Sequence, residues 1–230
     1  FDIIGNTNYN PEKFKFHDNK NRNSFALSFS FSQVINKKMQ VSLFADVLQQ
    51  QGLLSTPYQR IYFSDVADSF INEFQLADDI ERLPDSRFKL PLGARLNYYI
   101  NETFVLRTYY RFYTDNWGVQ AHTASFELPI KLTDRFTVFP MYRYYSQTGS
   151  KYFAPYESHL STEKYYTSDY DLSTFNANQY GFGIDYTDIF TGSKIWKFGI
   201  KNIDFRFNHY TRSDGLDANI VSFGIKFVKQ

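Results

Sequence analysis

The chain has no cysteine, which excludes disulfides, thiolate nucleophiles and cysteine-ligated metal sites whatever the compartment. Histidine is scarce: His17, His122, His159 and His209 are the full set, and no two are spaced to present a pair of metal ligands on one helix or strand face. No apolar run approaches the roughly 18 to 20 residues of a membrane-crossing helix. That removes helical membrane proteins and leaves barrels, which cross on strands, untouched. Neither sign of charge prevails, with Lys and Arg at 25 against Asp and Glu at 24 and a net charge of +1. Such a balance creates no bulk field to gather nucleic acid. No phosphate-cradling glycine motif and no basic aromatic face is present either, so nucleic acid is not an expected partner. What the chain has in excess is rings. Its 230 residues include 25 Phe, 19 Tyr and 2 Trp, one residue in five, at a mean hydropathy of only −0.46. Ordinary globular chains are led by Leu, Ala, Gly, Ser and Val instead.

The rings recur with period two. Across Arg87 to Ile100 the even positions are Phe88, Leu90, Leu92, Ala94, Leu96, Tyr98 and Ile100, and the odd ones include Arg87, Lys89, Gly93, Arg95 and Asn97. Helices bring apolar residues together at three and four apart, so a strict alternation of this length is a strand with one greasy and one polar face. The same alternation runs through Phe25 to Ser32, Val41 to Val47, Phe104 to Phe112, Ala124 to Lys131, Phe136 to Tyr145, Tyr180 to Thr187 and Val221 to Phe227. One further strand carries Trp196, Phe198 and Ile200 on even positions and then Ile203, Phe205 and Phe207 on odd ones, which predicts a bulge near Lys201-Asn202. Between Val66 and Leu83 the period breaks, and Phe70, Phe74, Ala77 and Ile80 fall at helical spacing. A short helix in a loop is expected there.

Spacers alternate between two lengths. Asn36-Lys37-Lys38, Asn101-Glu102, Thr133-Asp134 and Thr191-Gly192-Ser193 are short turns, whereas Gln51 to Ser86 and Gln147 to Ser173 are long. Long strands joined by short turns at one end and longer loops at the other predict an all-β fold: a transmembrane antiparallel up-and-down β-barrel of about 10 to 12 strands, with short periplasmic turns and long extracellular loops. Phe would then face lipid acyl chains, and Tyr and Trp would mark the two water interfaces. Nine strands are legible; Phe1 to Tyr9 is a weak candidate for a tenth. The chain is expected to be one barrel domain over residues 1–230, in the outer membrane of a Gram-negative bacterium, with a start that is processed or incomplete.

On the polar phase a basic cluster of Arg87, Lys89, Arg95, Arg107, Arg111 and Arg143 is expected to face the lumen. Such a cluster either favours anion passage or stacks into an internal salt-bridge network. Arg111, Asp115, Trp117 and His122 are expected to meet as a clamp at the outer rim. Glu157-Ser158-His159-Leu160-Ser161 holds a serine and a histidine in one polar loop, the minimal ingredients of an esterase. Tyr166 to Asp171 holds oxygen ligands without the glycine and spaced carboxylates of a calcium loop. No catalytic residue, cofactor or metal is expected.

In order along the chain, Gly52-Leu53-Leu54-Ser55-Thr56-Pro57-Tyr58, Leu83-Pro84-Asp85-Ser86-Arg87, Tyr109 to Gly118, Ala121-His122-Thr123, Tyr142 to Gln147 and Ser168 to Ser173 form a pattern. From about Gln50 to Tyr186 the chain resembles a bacterial family catalogued as a domain of unknown function, number thirty-five seventy. That family is similar to Gram-negative outer-membrane barrels. Its genes often lie near those for a small lipoprotein, a thioredoxin-like protein and a flavin-transferring enzyme. The resemblance implies outer-membrane lipids, other outer-membrane proteins and a small lipoprotein as partners. A non-enzymatic subunit or scaffold of an envelope complex is therefore expected, with a channel for small anions or solutes and an outer-membrane enzyme as the alternatives.

Overall fold

The computed structural model describes residues 21–56, 58–188 and 192–229. Its strands, in chain order, are β1 (Arg22–Asn36), β2 (Met39–Gly52), β3 (Arg60–Ile61), β4 (Ser69–Ile71), β5 (Phe74–Leu76), β6 (Asp79–Ile80), β7 (Ser86–Tyr99), β8 (Val105–Asp115), β9 (Gln120–Glu127), β10 (Ile130–Lys131), β11 (Phe136–Gln147), β12 (Phe175–Thr187), β13 (Lys194–Ile195), β14 (Phe198–Arg212) and β15 (Asp217–Lys229). The one helical element among the described residues is a 3₁₀ turn at Tyr170–Leu172. The fold is all-β. Nine strands of eight residues or more form one antiparallel sheet in the order β1-β2-β7-β8-β9-β11-β12-β14-β15, with β10 on β11 and β13 on β14. The expected tenth strand at Phe1 to Tyr9 lies outside the described residues.

Register places every apolar phase on the same side. Phe29 stands opposite Ala45, Ala45 opposite Leu92, Leu92 opposite Phe112 and Phe112 opposite His122. Pro140 stands opposite Phe182, Phe182 opposite Phe207 and Phe207 opposite Val221. Because opposed residues in an antiparallel pair share a face, a slip of one residue anywhere would throw a strand's rings to the other side. The predicted bulge is present, as a register shift in β14 between Ile200 and Asn202, and it restores Phe205 and Phe207 to the common face.

The two faces are treated unequally. Phe29, Phe126, Phe182 and Phe223 on the ring-bearing face are 58%, 50%, 48% and 65% exposed. On the polar face Ala121, Thr123, Phe139, Ala177 and Asn208 are buried. A flat single sheet would expose both faces alike, so in the middle of this sheet the polar face is concave and is covered by its own side chains and by the long loops. The ion pair between Arg206 on β14 and Glu127 on β9 spans β11 and β12 at 3.5 Å. Gly181 and Gly183 leave that space open. A Cβ at Gly183 would overlap the Phe139 ring, over which the Arg206 guanidinium sits at 4.3 Å.

Three expectations are corrected. Val66 to Leu83 holds no helix: β4 and β5 pair in a tight hairpin turning at Asn72, whose φ is 55°, and β3 pairs with β6. Asn tolerates that left-handed geometry, and the turn between Phe70 and Phe74 mimics helical spacing. Pro129, which offers no N–H to a ladder, splits the strand read through Ala124 to Lys131 into β9 and β10. Trp196 lies in a turn at φ 56° between β13 and β14, outside the strand.

Candidate functional site

The side chain of Asp115, the last residue of β8, is fully enclosed. Its carboxylate accepts from Arg87 Nε at 2.9 Å and Nη2 at 2.5 Å, from the Tyr113 hydroxyl at 2.8 Å, and from the Trp117 and Val119 N–H groups at 2.9 and 3.0 Å. The carboxylate thus closes the β8–β9 turn and binds it to β7. Gly118 completes the turn at φ 91°, a conformation that suits glycine. Arg87 lies over the Trp117 ring at 4.2 Å, and Trp117 Nε1 donates to the Ser86 carbonyl at 3.0 Å.

The expected rim clamp is therefore differently composed. Asp115 and Trp117 belong to it, but their cation is Arg87. Arg111 alternates with Phe112 along β8 and faces the concave side, while His122 stands opposite Phe112 on the ring-bearing side and meets the Tyr110 hydroxyl at 2.7 Å. Strand alternation separates the two faces. Nor is Trp117 a marker of the outer interface, since it is 2% exposed and packs edge-on against Tyr152.

The six basic residues read as one cluster divide into separate sets. Arg87 is held by Asp115, with Lys89 directly opposite Asp115 in the ladder. Arg107 pairs with Glu127 at 2.8 Å. Arg95, Arg111 and Arg143 occupy the middle of the concave face. The Arg95 guanidinium sits against the Phe44 and Tyr109 rings at 5.4 and 5.7 Å. Arg212, at the loop end of β14, was not singled out from sequence. It binds Asp171 at 2.6 Å and Asp214 at 2.5 Å and stacks on Phe175 at 3.7 Å. Its local signal is Asp214, two residues on, whereas Asp171, 41 residues away, leaves no local pattern.

The two long loops share a small core of Ile61, Phe63 and Tyr166. Around it, Glu81 accepts from Thr167 Oγ1 at 2.5 Å and from the Thr56 N–H, and burial holds its carboxyl above the ordinary glutamate value. The Tyr166 hydroxyl donates to Asp79 at 2.8 Å. His159 is buried, with Nδ1 2.7 Å from Glu163 and Nε2 2.9 Å from the Thr167 carbonyl. Both ring nitrogens are thereby occupied. The Ser158 hydroxyl donates to the Tyr156 carbonyl and Ser161 to Asp65, so neither serine is set against the imidazole as a nucleophile would be. In the acidic run, Asp169 caps the 3₁₀ turn and Asp171 holds Arg212. No group of three metal-ligating side chains converges among the described residues, and His17 lies outside them.

These features define an all-β protein built on one large antiparallel sheet whose polar, arginine-bearing face is concave and whose aromatic face is bare. The chain belongs to the family described as Protein of unknown function (DUF3570), which matches residues 4–220. A comparison with curated proteins finds no match.

Proposed function

We propose that this sheet closes into a transmembrane barrel of the bacterial outer membrane and serves there as a non-enzymatic, membrane-embedded subunit or scaffold of an envelope complex. The observation that carries the reading is the inverted exposure of the sheet, rings outward and charges inward. In water a continuous aromatic face of this extent is a liability; in lipid it is the required surface, and backbone polar groups must be paired within a closed sheet. Ten residue steps from Phe25 to Ile35 at about 3.4 Å, tilted by about 40°, rise about 26 Å, close to the apolar band of about 25 Å on such barrels. β1 and β15 run in the same direction, so closure takes either a parallel seam between them or one more strand running the opposite way. The loop core around Ile61 and Tyr166, built from both long loops, offers partner proteins a pre-formed outer surface. Outer-membrane lipids, other outer-membrane proteins and a small lipoprotein are the partners this reading implies.

The test is cell fractionation followed by SDS gel mobility with and without boiling. Recovery in the outer membrane with a heat-dependent shift supports the reading. Recovery in a soluble fraction overturns it. Planar-bilayer conductance then separates scaffold from channel: silence in the folded protein favours the scaffold, and steady anion-preferring conductance the channel.

A further inference from the structure

The arginines of the concave face are of two kinds. Arg87, Arg107, Arg206 and Arg212 each have a carboxylate within reach. Among the described residues no carboxylate lies within 4.0 Å of Arg95, Arg111 or Arg143, and all three are open to water. Arg95 and Arg111 line one cavity of about 280 Å³ together with Asp46, Phe44, Tyr109 and Gly93. The two guanidiniums come from neighbouring strands. Arg95 stands opposite Tyr109, and Arg111 lies two residues further along β8, opposite Gly93. The Arg95 guanidinium sits against the Phe44 and Tyr109 rings, which hold it at the cavity wall. Gly93 keeps the floor between them open: a Cβ there would come within 3.1 Å of the Tyr109 hydroxyl.

We propose that Arg95 and Arg111, over the floor made by Gly93 and Tyr109, bind a small oxyanion, a carboxylate or a phosphate. A guanidinium presents a fixed fork of donors matched to two oxygens, and two such forks with no carboxylate within 4.0 Å among the described residues suit a bound counterion. Asp46 on the cavity wall sets the second feature of the ligand. It disfavours a bare polyanion and selects one carrying a hydroxyl or ammonium donor beside its acidic group. The site goes beyond the scaffold reading and does not depend on closure of the sheet, because both arginines sit on adjacent, paired strands.

The experiment is calorimetric titration of the purified, detergent-solubilised full chain, in low-chloride buffer, with inorganic phosphate and separately with malate. Folding of each variant is checked by its far-ultraviolet circular dichroism and heat-dependent gel mobility. Saturable binding is expected, weakened about tenfold or more by Arg95→Gln and by Arg111→Gln, and left within about twofold by Arg107→Gln, a tenfold loss corresponding to about 1.4 kcal/mol. Gly93→Val keeps both charges and fills the floor; it too should abolish binding. Binding of phosphate alone, or of malate alone, supports the site and identifies its oxyanion. No saturable heat with either probe in the folded protein overturns the proposal, as does a Gly93→Val variant that binds like the parent, which would reduce the effect to diffuse charge.

Discussion

Replacing Asp115 by alanine tests how much of the rim rests on one carboxylate. The substitution leaves the Arg87 guanidinium, whose side chain is 14% exposed, without its anion, and the Trp117 and Val119 N–H groups without acceptors. Breaking a buried pair on one side costs about 3–5 kcal/mol, and each orphaned buried donor about 1–3 kcal/mol where water cannot replace the acceptor. Partial entry of water at the rim limits the sum, so a loss of about 3–5 kcal/mol is expected. Asp115→Asn keeps an acceptor oxygen for the turn and removes the charge, and should cost about half as much, near 2 kcal/mol. In the Arg87→Met/Asp115→Leu double variant the Arg87 charge is no longer stranded, so the loss should be smaller than the sum of the Arg87→Met and Asp115→Leu losses by more than about 1 kcal/mol. Urea unfolding of the detergent-folded protein, followed by Trp fluorescence, measures these variants together with the single variants Arg87→Met and Asp115→Leu. A loss below about 1 kcal/mol for Asp115→Ala, or simple additivity in the double variant, would refute the argument that the carboxylate organises the turn.

Gly183→Ala should destabilise the sheet by about 1–3 kcal/mol, since the added carbon meets the Phe139 ring and dislodges it from beneath Arg206; urea midpoints check this. The loop core should tighten as pH falls. Glu81 has a folded value raised by burial, so its contribution is complete below the unfolded value of 4.5 and is lost as pH rises through the folded one. Asp65, lowered by the Ser161 N–H and hydroxyl, acts in the opposite sense and loses its contribution only below 3.8. Proteolytic nicking between residues 148 and 174 should therefore slow as pH falls toward 4.5, and Glu81→Gln should flatten that dependence. An unchanged profile in the variant would remove Glu81 from the account. Replacing Phe223 by arginine should impede membrane insertion by about 2–4 kcal/mol, whereas Ser222→Arg, on the opposite phase, should be nearly neutral; the folded fraction recovered in liposomes reports both.

Much of the sheet was legible because period two is local. Phe25 to Phe31 or Val221 to Phe227 declare their faces without a partner, and the slip at Lys201-Asn202 showed as a change of parity. The loop region was misread at Val66 to Leu83 because four apolar residues at spacings of four and three satisfy a helix, while the β4–β5 turn that defeats it depends on Asn72 accepting a left-handed backbone. The rim was half legible. Asp115 and Trp117 sit within one turn motif, but which arginine answers Asp115 depends on the pairing of β7 with β8, and Arg87 is the one brought there. Arg212 is half legible in the same way: Asp214 is two residues away in the β14–β15 turn, but Asp171 arrives from the end of a loop 41 residues earlier.

The central claim is that the ring-bearing face meets lipid and the arginine-bearing face meets water. A chain without cysteine permits a direct measurement: single cysteines placed in turn along β1 and β2, at Ser28, Phe29, Ser30 and Phe31 and at Leu43, Phe44, Ala45 and Asp46, and labelled in liposomes with a charged, membrane-impermeant maleimide. The account predicts labelling that alternates residue by residue, high at Ser28→Cys, Ser30→Cys, Phe44→Cys and Asp46→Cys and low at their neighbours. Uniform labelling along both strands, or alternation of the opposite phase, would contradict it.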